Sequence, residues 1–333
     1  MKAAWYERQG VAEEVLCVGH LDDPLPGPGE VRIRVAVSGI NPGDVKKRAD
    51  TFGVGMPFPR VIPHSDGAGT IDAVGDQVPS SRLGSRVWCF GAQSYRPFGT
   101  AAEYVVVPSN QAIALPDQVS FEQGACLGIP GLTAHRAVHV GGAVAGRTVL
   151  VQGGAGAVGS CAVALARHAG ARVIATVRSP DDVTVATRAG AHEVVSTEGW
   201  SQDEIVGRIR ALAPDGVDHV VEVAFHANIA ADEQLLTVGG SVAAYATGDP
   251  SPAIPFWPLV FKNVRLFFLG SDDFPPEAKT AAAAGLNEAL EAGWAGFEIA
   301  ERFPLEDIAL AHRFVERPPR PGRVVLSVDT PKS

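Results

Sequence analysis

The sequence has few cysteines, a deficit of basic residues and no long hydrophobic run. Its four cysteines form no CxxC pair, which argues against a zinc ribbon or a disulfide framework and predicts a reduced, cytoplasmic environment. Lys and Arg number 28 against 37 Asp and Glu, so nucleic acid is not expected as the main partner. No apolar run approaches signal-peptide or bilayer length, so neither targeting nor membrane binding is predicted.

What remains is the composition of a globular protein with room for two domains. Hydrophobic residues make up 46% of the chain and charged residues 20%, a balance that excludes wholesale disorder. Since domains usually contain about 100–200 residues, a chain of 333 residues favours two domains.

The first part of the chain, up to about residue 120, has the pattern of short strands. Residues 30–37 alternate apolar and polar side chains with period two. Further short apolar segments, bounded by glycine or proline, occur at 69–75, 84–88 and 100–107. Regularly spaced turn residues between such segments predict a compact all-β unit.

Beyond about residue 120, strands alternate with helices. A helical segment begins at Leu132, and the clearest later helices are expected at 159–169 and 201–213. Strands are expected at 148–152, 172–177, 193–196, 217–223, 240–244 and 264–269. This alternation predicts an α/β fold with a doubly wound parallel sheet. The tail adds expected helices at 277–292 and 305–316 and a strand at 323–328.

The most informative segment joins the first of these strands to its helix. Residues 149–152 run into Gly154-x-Gly156-x-x-Gly159, with a second strand at 172–177. The first glycine allows the tight turn, the second lets backbone approach a pyrophosphate, and the third lets helix pack on strand. The helix N-terminus then offers N–H groups to phosphates. We predict a dinucleotide site at Gly154, Ala155, Gly156, Ala157, Val158 and Gly159; a plain glycine-rich turn is the alternative.

The residues at the end of the second strand indicate whether the cofactor is NAD or NADP, because they lie where the adenosine ribose binds. An acidic residue there would bind the ribose diol of NAD, but residues 175–177 are followed by Arg178 and Ser179. Arg178 can pair with a 2′-phosphate and Ser179 can donate to it, so NADPH is the predicted cofactor. Asp181 and Asp182 would repel that phosphate if they faced it, and a solvated surface arginine is the alternative for Arg178.

Several further motifs occur in order along essentially the whole chain. They are SGINPGD at 38–44, PHSDGAG at 63–69 with AVG at 73–75, GIPGLTA at 128–134, GAHEV at 190–194 and GRVVL at 322–326. Together with the glycine loop they resemble the medium-chain dehydrogenases/reductases, specifically the quinone oxidoreductase branch that includes zeta-crystallin. The resemblance implies a GroES-like β-rich catalytic domain at 1–124, completed by 272–333. It implies a Rossmann domain at 125–271 inserted between them, and a homodimer or homotetramer, often joined through an edge strand, here 264–269.

The resemblance also bears on metal use. The zinc ligands of the alcohol dehydrogenases in this superfamily fall at Asn41, Ser65 and Ile129 of this sequence. These residues do not supply the nitrogen and sulfur donors of a tetrahedral zinc site, so no metal is expected. Without a Lewis acid, hydride transfer from NADPH to an already electrophilic small molecule, such as a quinone, is the expected reaction.

The remaining site residues are implied by the resemblance alone. Asn41 and Thr133 are expected to flank the nicotinamide and the substrate, with Asn41 donating to a substrate oxygen. Further cofactor contacts are expected from Tyr245, Ala246, Thr247, Leu269, Gly270, Ser271 and Arg323. Many members of the branch have a tyrosine where this sequence has Lys46, which leaves the acceptor open. An enone, alkenal or enoyl-thioester double-bond reductase is one alternative, and an NADPH-binding protein with little catalysis is another.

Overall fold

The computed structural model describes residues 1–317 and 322–328. Within them the strands are β1 (Lys2–Trp5), β2 (Cys17–His20), β3 (Glu30–Ile40), β4 (Asp66–Val74), β5 (Arg86–Cys89), β6 (Tyr104–Pro108), β7 (Ala112–Ala114), β8 (Thr148–Val151), β9 (Arg172–Val177), β10 (Glu193–Ser196), β11 (Val217–Glu222), β12 (Leu236–Ala244), β13 (Arg265–Phe268), β14 (Ile299–Pro304) and β15 (Arg323–Ser327). The α-helices are α1 (Ala12–Val15), α2 (Pro42–Arg48), α3 (Phe121–Gly124), α4 (Gly128–His139), α5 (Ala157–His168), α6 (Val183–Ala189), α7 (Gln202–Leu212), α8 (Phe225–Leu235), α9 (Phe256–Phe261), α10 (Pro276–Glu291) and α11 (Ile308–Glu316).

The chain divides into two compact units. The first comprises Met1–Pro130 with Gly296–Ser333, and the second comprises Gly131–Ala295. These bounds differ from the expected ones chiefly in α10, which the sequence analysis grouped with the first unit. Helix α10 packs on α5, and its Leu286 lies so close to Gly131 that a Cβ there would be 2.7 Å from a leucine methyl. Because this apolar contact is made within the second unit, α10 belongs to it.

The first unit is built around a seven-stranded sheet. Its strand order is β14-β15-β3-β4-β5-β7, with β6 also paired to β3, and β3 is its longest strand at 11 residues. The alternating burial of β3 places Val31, Ile33 and Val35 in an apolar core. The expected all-β character holds only for this sheet, because helices α2 and α11 pack against each other and α11 also contacts β14 and β15.

The second unit contains a six-stranded sheet whose neighbouring strands are all parallel. Its order is β10-β9-β8-β11-β12-β13, so the chain direction across the sheet reverses between β8 and β11. That reversal is the switch point at which doubly wound sheets bind ligands, outside the carboxyl ends of the strands. The predicted α/β class, a doubly wound parallel sheet combined with a β-rich unit, is confirmed.

Two general features of the described residues complete the fold. All four cysteines are free thiols, and Cys89, Cys126 and Cys161 are buried. In the part of the chain that the structure describes, the helices lack the combination of length and hydropathy needed to span a bilayer.

Candidate active site

The glycine loop lies between β8 and α5 at the switch point of the parallel sheet. A Cβ at Gly154 would lie 2.7 Å from the Cβ of Ala175 on β9, and a Cβ at Gly159 would lie 2.1 Å from the carbonyl oxygen of Gly153. Gly156 differs, since its Cβ would meet only that same carbonyl, at 3.4 Å, and the residue is exposed. The outer two glycines therefore permit close packing, while the middle one leaves open space beside the backbone.

Helix α5 presents its N-terminus at this loop. Gly156 caps the helix and has no side chain with which to accept a hydrogen bond, and the first amides of a helix have no intrahelical acceptor. The N–H groups of Ala157, Val158 and Gly159 lie at this end, which carries the positive pole of the helix dipole. The open space and these donors fit a pyrophosphate.

The two polar residues after β9 differ in their freedom to bind a phosphate. Arg178 is exposed, and no hydrogen bond or ion pair ties it to another described residue. The Ser179 hydroxyl instead donates to Asp182 over 3.1 Å. Arg178 is therefore available to a 2′-phosphate, whereas Ser179 would have to exchange its carboxylate partner to donate to one.

The other expected cofactor residues follow strands of the same parallel sheet, and parallel strands end at one edge. After β12, the N–H of Tyr245 donates to the Glu222 carbonyl over 3.1 Å. Burial and the charge of Glu222 raise the pKa of Tyr245, which keeps its phenol protonated. Ala246 and Thr247 come next and are exposed. After β13 come Leu269, Gly270 and Ser271, the last opening a short 3-10 turn.

In the first unit, Asn41 is buried between β3 and α2 and bonded at both ends of its amide. Its Nδ2 donates to Oδ2 of Asp66 over 2.7 Å, and its Oδ1 accepts from Nη2 of Arg323 over 2.8 Å. Since a guanidinium only donates, Oδ1 must face Arg323 and Nδ2 must face the carboxylate. One Nδ2 hydrogen remains beyond the bond to Asp66.

Asp66, at the start of β4, is the centre of this cluster and was not among the expected site residues. Its Oδ2 also accepts from the N–H of Ile129 over 2.8 Å. A Cβ at Gly128 would lie 2.1 Å from its Oδ1, so only glycine fits there. Complete burial raises the pKa of Asp66 to about 7, although the Asn41 bond and the Arg323 charge oppose that rise. The carboxyl therefore titrates near neutral pH.

Arg323 has a different environment from the one expected. It was predicted to reach the cofactor phosphates, but only 4% of the residue is exposed and its Nη2 donates to Asn41. This corrects that placement, because a buried guanidinium held by Asn41 is not free to follow a phosphate. We assign Arg323 to the Asn41 cluster.

A chain of buried hydroxyls and imidazoles runs behind Asp66. The Thr100 hydroxyl donates to the Asp66 carbonyl over 2.6 Å, so Ser38 must donate to Thr100, over 2.7 Å. Ser38 then accepts from Nδ1 of His64 at 2.9 Å, which leaves Nε2 of His64 as an acceptor for Nε2–H of His312, also at 2.9 Å. The geometry thus assigns Nδ1–H to His64 and Nε2–H to His312, both neutral.

The remaining expected residues lie in different units. Thr133 is buried within α4 in the second unit, whereas Asn41 belongs to the first. Lys46 is exposed on α2. Over residues 1–317 and 322–328, no cluster of three or more His, Cys, Asp or Glu side chains is arranged to hold a metal ion.

Comparisons with known proteins agree with this architecture. The alcohol dehydrogenase GroES-like domain matches residues 27–117, and the zinc-binding dehydrogenase family matches residues 157–283. A quinone oxidoreductase of Lama guanicoe is 32% identical over 310 residues, which cover 91% of this chain and 90% of that protein. Two mycobacterial structures are similar to this chain, a quinone oxidoreductase with a TM-score of 0.87 and a protein complexed with NADPH with a TM-score of 0.84. Each is 29% identical to this chain, and each match covers 98% of this chain and 100% of the mycobacterial one.

A GroES-like unit combined with a doubly wound sheet and its glycine loop defines a medium-chain dehydrogenase/reductase. Within that superfamily, the chain belongs to the quinone oxidoreductase family, since it matches such a relative at 32% identity over 91% of its own length. The predicted family and the predicted oxidoreductase class are confirmed.

Proposed function

We propose that this chain is an NADPH-dependent reductase that transfers hydride to an electrophilic small molecule such as a quinone. The observation that carries the proposal is the loop after β8, which combines open space at Gly156 with the N-terminus of α5 at the switch point of the sheet. The NADPH complex of a similar mycobacterial protein and the name of the Lama guanicoe relative support it.

The second unit would hold the dinucleotide. Bound NADPH supplies the hydride. The amides of Ala157, Val158 and Gly159 would bind the pyrophosphate, and Arg178 would pair with the 2′-phosphate, for which its planar guanidinium is suited. Thr133 would fix the nicotinamide side, as the family resemblance implies.

The first unit would orient the acceptor. When an acceptor such as a quinone takes up hydride, negative charge develops on its oxygen, and the free Nδ2 hydrogen of Asn41 is a donor for that oxygen. The bonds to Asp66 and Arg323 fix the amide plane, and the guanidinium on Oδ1 polarises the amide so that Nδ2–H donates more strongly.

A zinc-independent reaction is part of the proposal. Asn41 Nδ2–H and Ile129 N–H both point at Asp66, and Arg323 adds a positive charge to the same buried cluster. Hydrogen-bond donors and a guanidinium favour an anion and repel a divalent cation. The residues therefore do not fit zinc, and activity should survive prolonged dialysis against EDTA.

The cofactor assignment is tested by fluorescence titration. Wild-type protein should bind NADPH more tightly than NADH. Arg178→Gln should lose about tenfold or more in NADPH affinity, as expected for one charge-assisted bidentate contact of about 1.5–3 kcal/mol, with little change for NADH. Arg208→Gln, an exposed arginine on α7, is the control. Equal affinity of wild type for both dinucleotides, or equal losses in both variants, would contradict the proposal.

The acceptor is tested by steady-state rates with NADPH and a panel of one quinone, one enone and one enoyl thioester. Turnover of the quinone supports the proposed reaction. Turnover confined to the enone or the thioester would replace it with double-bond reduction, and NADPH binding without turnover on any acceptor would replace it with a binding role.

We further propose that the protein is a cytoplasmic homodimer joined along β13. The edge of β13 away from β12 pairs with no other strand in the described sheet. Beside it Phe256, Trp257, Phe261 and Phe268 are 57–75% exposed, an apolar concentration that a second copy would cover. Light scattering should show a dimer that Phe261→Asp dissociates, while Val238→Asp, an exposed control, leaves it intact. A monomeric wild type would refute this.

A further inference from the structure

A chain of buried polar side chains lies beneath the start of the glycine loop. The N–H of Gly153 donates to Oγ1 of Thr176 over 3.2 Å, and that hydroxyl donates to Oε1 of Gln152 over 2.6 Å. Nε2 of Gln152 in turn donates to Oδ1 of Asp232 on α8 over 2.8 Å. Each link has one donor and one acceptor, so the chain has a single polarity from the loop to Asp232.

The far end of this chain is a pair of buried carboxyl groups. Neither Asp232 nor Glu222, at the end of β11, has any exposed surface. Asn228 donates to both carboxylate oxygens of Glu222 at 3.1 Å, and the N–H of Ala224 also donates to it. Oδ2 of Asp232 has no hydrogen-bond partner among the described groups, and the two carboxyl groups are close enough for each to shift the pKa of the other.

Two buried carboxyl groups in contact cannot both be ionised, because like charges without solvent repel strongly. The donors decide which group holds the proton. Glu222 receives N–H donors from Asn228 and Ala224 that stabilise its anion, whereas Asp232 receives only the Gln152 amide, on its other oxygen. The negative charge is therefore better stabilised on Glu222, and the shared proton is held by Asp232.

We propose that Asp232, held as a neutral carboxylic acid, is a positioning residue for the dinucleotide loop. Its Oδ1 ends the chain that fixes Gln152 and Thr176, and its proton keeps that end of the chain uncharged. Thr176 holds the loop twice, through its hydroxyl to Gly153 and through its carbonyl to the N–H of Gly154 over 2.7 Å. Loss of the proton places a second negative charge beneath the loop that is to receive a pyrophosphate. This inference rests on the proposed NADPH function.

The pH at which this happens is set by the groups around the pair. Burial and the charge of Glu222 raise the pKa of Asp232 well above its ordinary value, and burial raises that of Glu222. The titratable neighbour that follows β12 is Tyr245, whose own pKa is raised. Asp232 also contacts the uncharged Gln152, which follows β8, and Glu222 contacts the uncharged Asn228 on α8. The second ionisation therefore occurs well above the pH at which an ordinary aspartic acid ionises.

The test compares NADPH affinity across pH 6–10 in wild type, Asp232→Asn and Asp218→Asn. An asparagine at 232 can accept from Gln152 and donate to Glu222 without a titrating proton, so it reproduces the neutral acid. Asp218 accepts the N–H of Thr148 over 2.8 Å at the amino ends of β11 and β8, away from the loop, and serves as the control.

Wild type and Asp218→Asn should lose NADPH affinity about tenfold per pH unit once the free protein loses the shared proton, since binding must then take one up. Asp232→Asn should bind like wild type at pH 7 and keep that affinity to pH 10. Parallel pH profiles in wild type and Asp232→Asn, or a tenfold loss in Asp232→Asn at pH 7, would overturn the inference.

A second measurement does not depend on the cofactor. Infrared difference spectra of wild type minus Asp232→Asn, recorded across pH 6–10, should show the C=O stretch of a protonated carboxylic acid that Asp218→Asn retains; the contribution of Asp66 cancels because every variant carries it. Absence of that band in wild type would refute the shared proton. If the band is present but wild type binds no NADPH at any pH, the proposed function fails and the carboxyl pair stands.

Discussion

The buried imidazole pair of His64 and His312 makes the first unit sensitive to acid. The two Nε2 atoms lie 2.9 Å apart and share one hydrogen. Protonating His64 would put hydrogens on both nitrogens and turn that bond into a donor–donor contact. Arg48 acts on His312 through its charge and disfavours a second cation further. The pair is therefore stable only while both rings stay neutral, each with a single N–H.

The magnitude follows from the pKa of His64. Burial lowers it from 6.5 to about 3, and at about 1.4 kcal/mol per pH unit this difference corresponds to about 5 kcal/mol. A lowered folded-state pKa means that the stability is complete above pH 6.5 and is lost progressively as the pH falls towards 3. Burial also lowers the pKa of His312 well below its ordinary value, so its contribution has the same sign.

Chemical denaturation at pH 6.5 and 4.5 measures this loss. His64 alone should cost about 2 kcal/mol over those two pH units, because half of the unfolded chains already carry the extra proton at pH 6.5. His64→Asn removes that titration and keeps a residue type that tolerates the left-handed φ of +76° found here, so its pH dependence should be shallower than that of wild type by about this amount. His20→Asn, an exposed histidine on β2, should parallel wild type.

Nitrogen NMR of the wild-type protein checks the same reasoning without a variant. His64 should be the Nδ1–H tautomer and His312 the Nε2–H tautomer. The opposite tautomers, or a wild type and a His64→Asn variant with equal losses between pH 6.5 and 4.5, would refute the assignment of protons along the Ser38–His64–His312 chain.

Three further substitutions test the two units. Gly159→Ala brings a Cβ within 2.1 Å of the Gly153 carbonyl and should cost about 1–3 kcal/mol in denaturation experiments and lose measurable NADPH binding by fluorescence. Gly128→Ala places a Cβ 2.1 Å from Asp66; turnover of the quinone should drop at least about tenfold while NADPH affinity stays unchanged. Asp66→Asn should flatten the pH dependence of stability: the pKa of Asp66 is raised from 3.8 to about 7, so wild type loses about 4 kcal/mol relative to the variant as the pH rises between those values. Equal denaturation midpoints across that range in both proteins would contradict this.

The strands of the second unit were predictable because their pattern is local. Buried parallel strands are apolar runs, and those expected at 172–177 and 193–196 have the same bounds in the structure. The glycine loop was equally predictable, because a tight turn, the close approach of a pyrophosphate and helix–strand packing each need a residue without a side chain. Helix α8 was expected only from the alternation of strands and helices, without bounds, since Phe225–Leu235 carries Asp232 on its buried side and lacks a continuous apolar stripe.

The cluster around Asp66 was only partly predictable. Asn41 and Ile129 were singled out as former zinc positions, but neither spacing nor composition indicates that both donate to the same carboxylate. Arg323 was misplaced because it is distant in sequence, and strand β15 pairs with β3 to bring it beside Asn41. Long-range pairing of this kind is set by the sheet, not by any local pattern.

The same three contacts explain why this cluster suits an acceptor that becomes negative. Asn41, Ile129 and Arg323 all present hydrogens in this cluster: the Asn41 side chain and the Ile129 N–H donate to Asp66, and the Asn41 backbone N–H donates to Asp44. The pKa of Asp66 is raised to about 7 because burial and the charge of Asp44 outweigh the attraction of these donors and of Arg323. Ionisation of Asp66 adds one negative charge to the cluster, and its protonation removes that charge. A developing oxyanion near Asn41 is therefore stabilised most below pH 7. A divalent cation at this position would meet the guanidinium of Arg323 and the N–H donors of Asn41 and Ile129, which favour negative charge and supply no metal ligand.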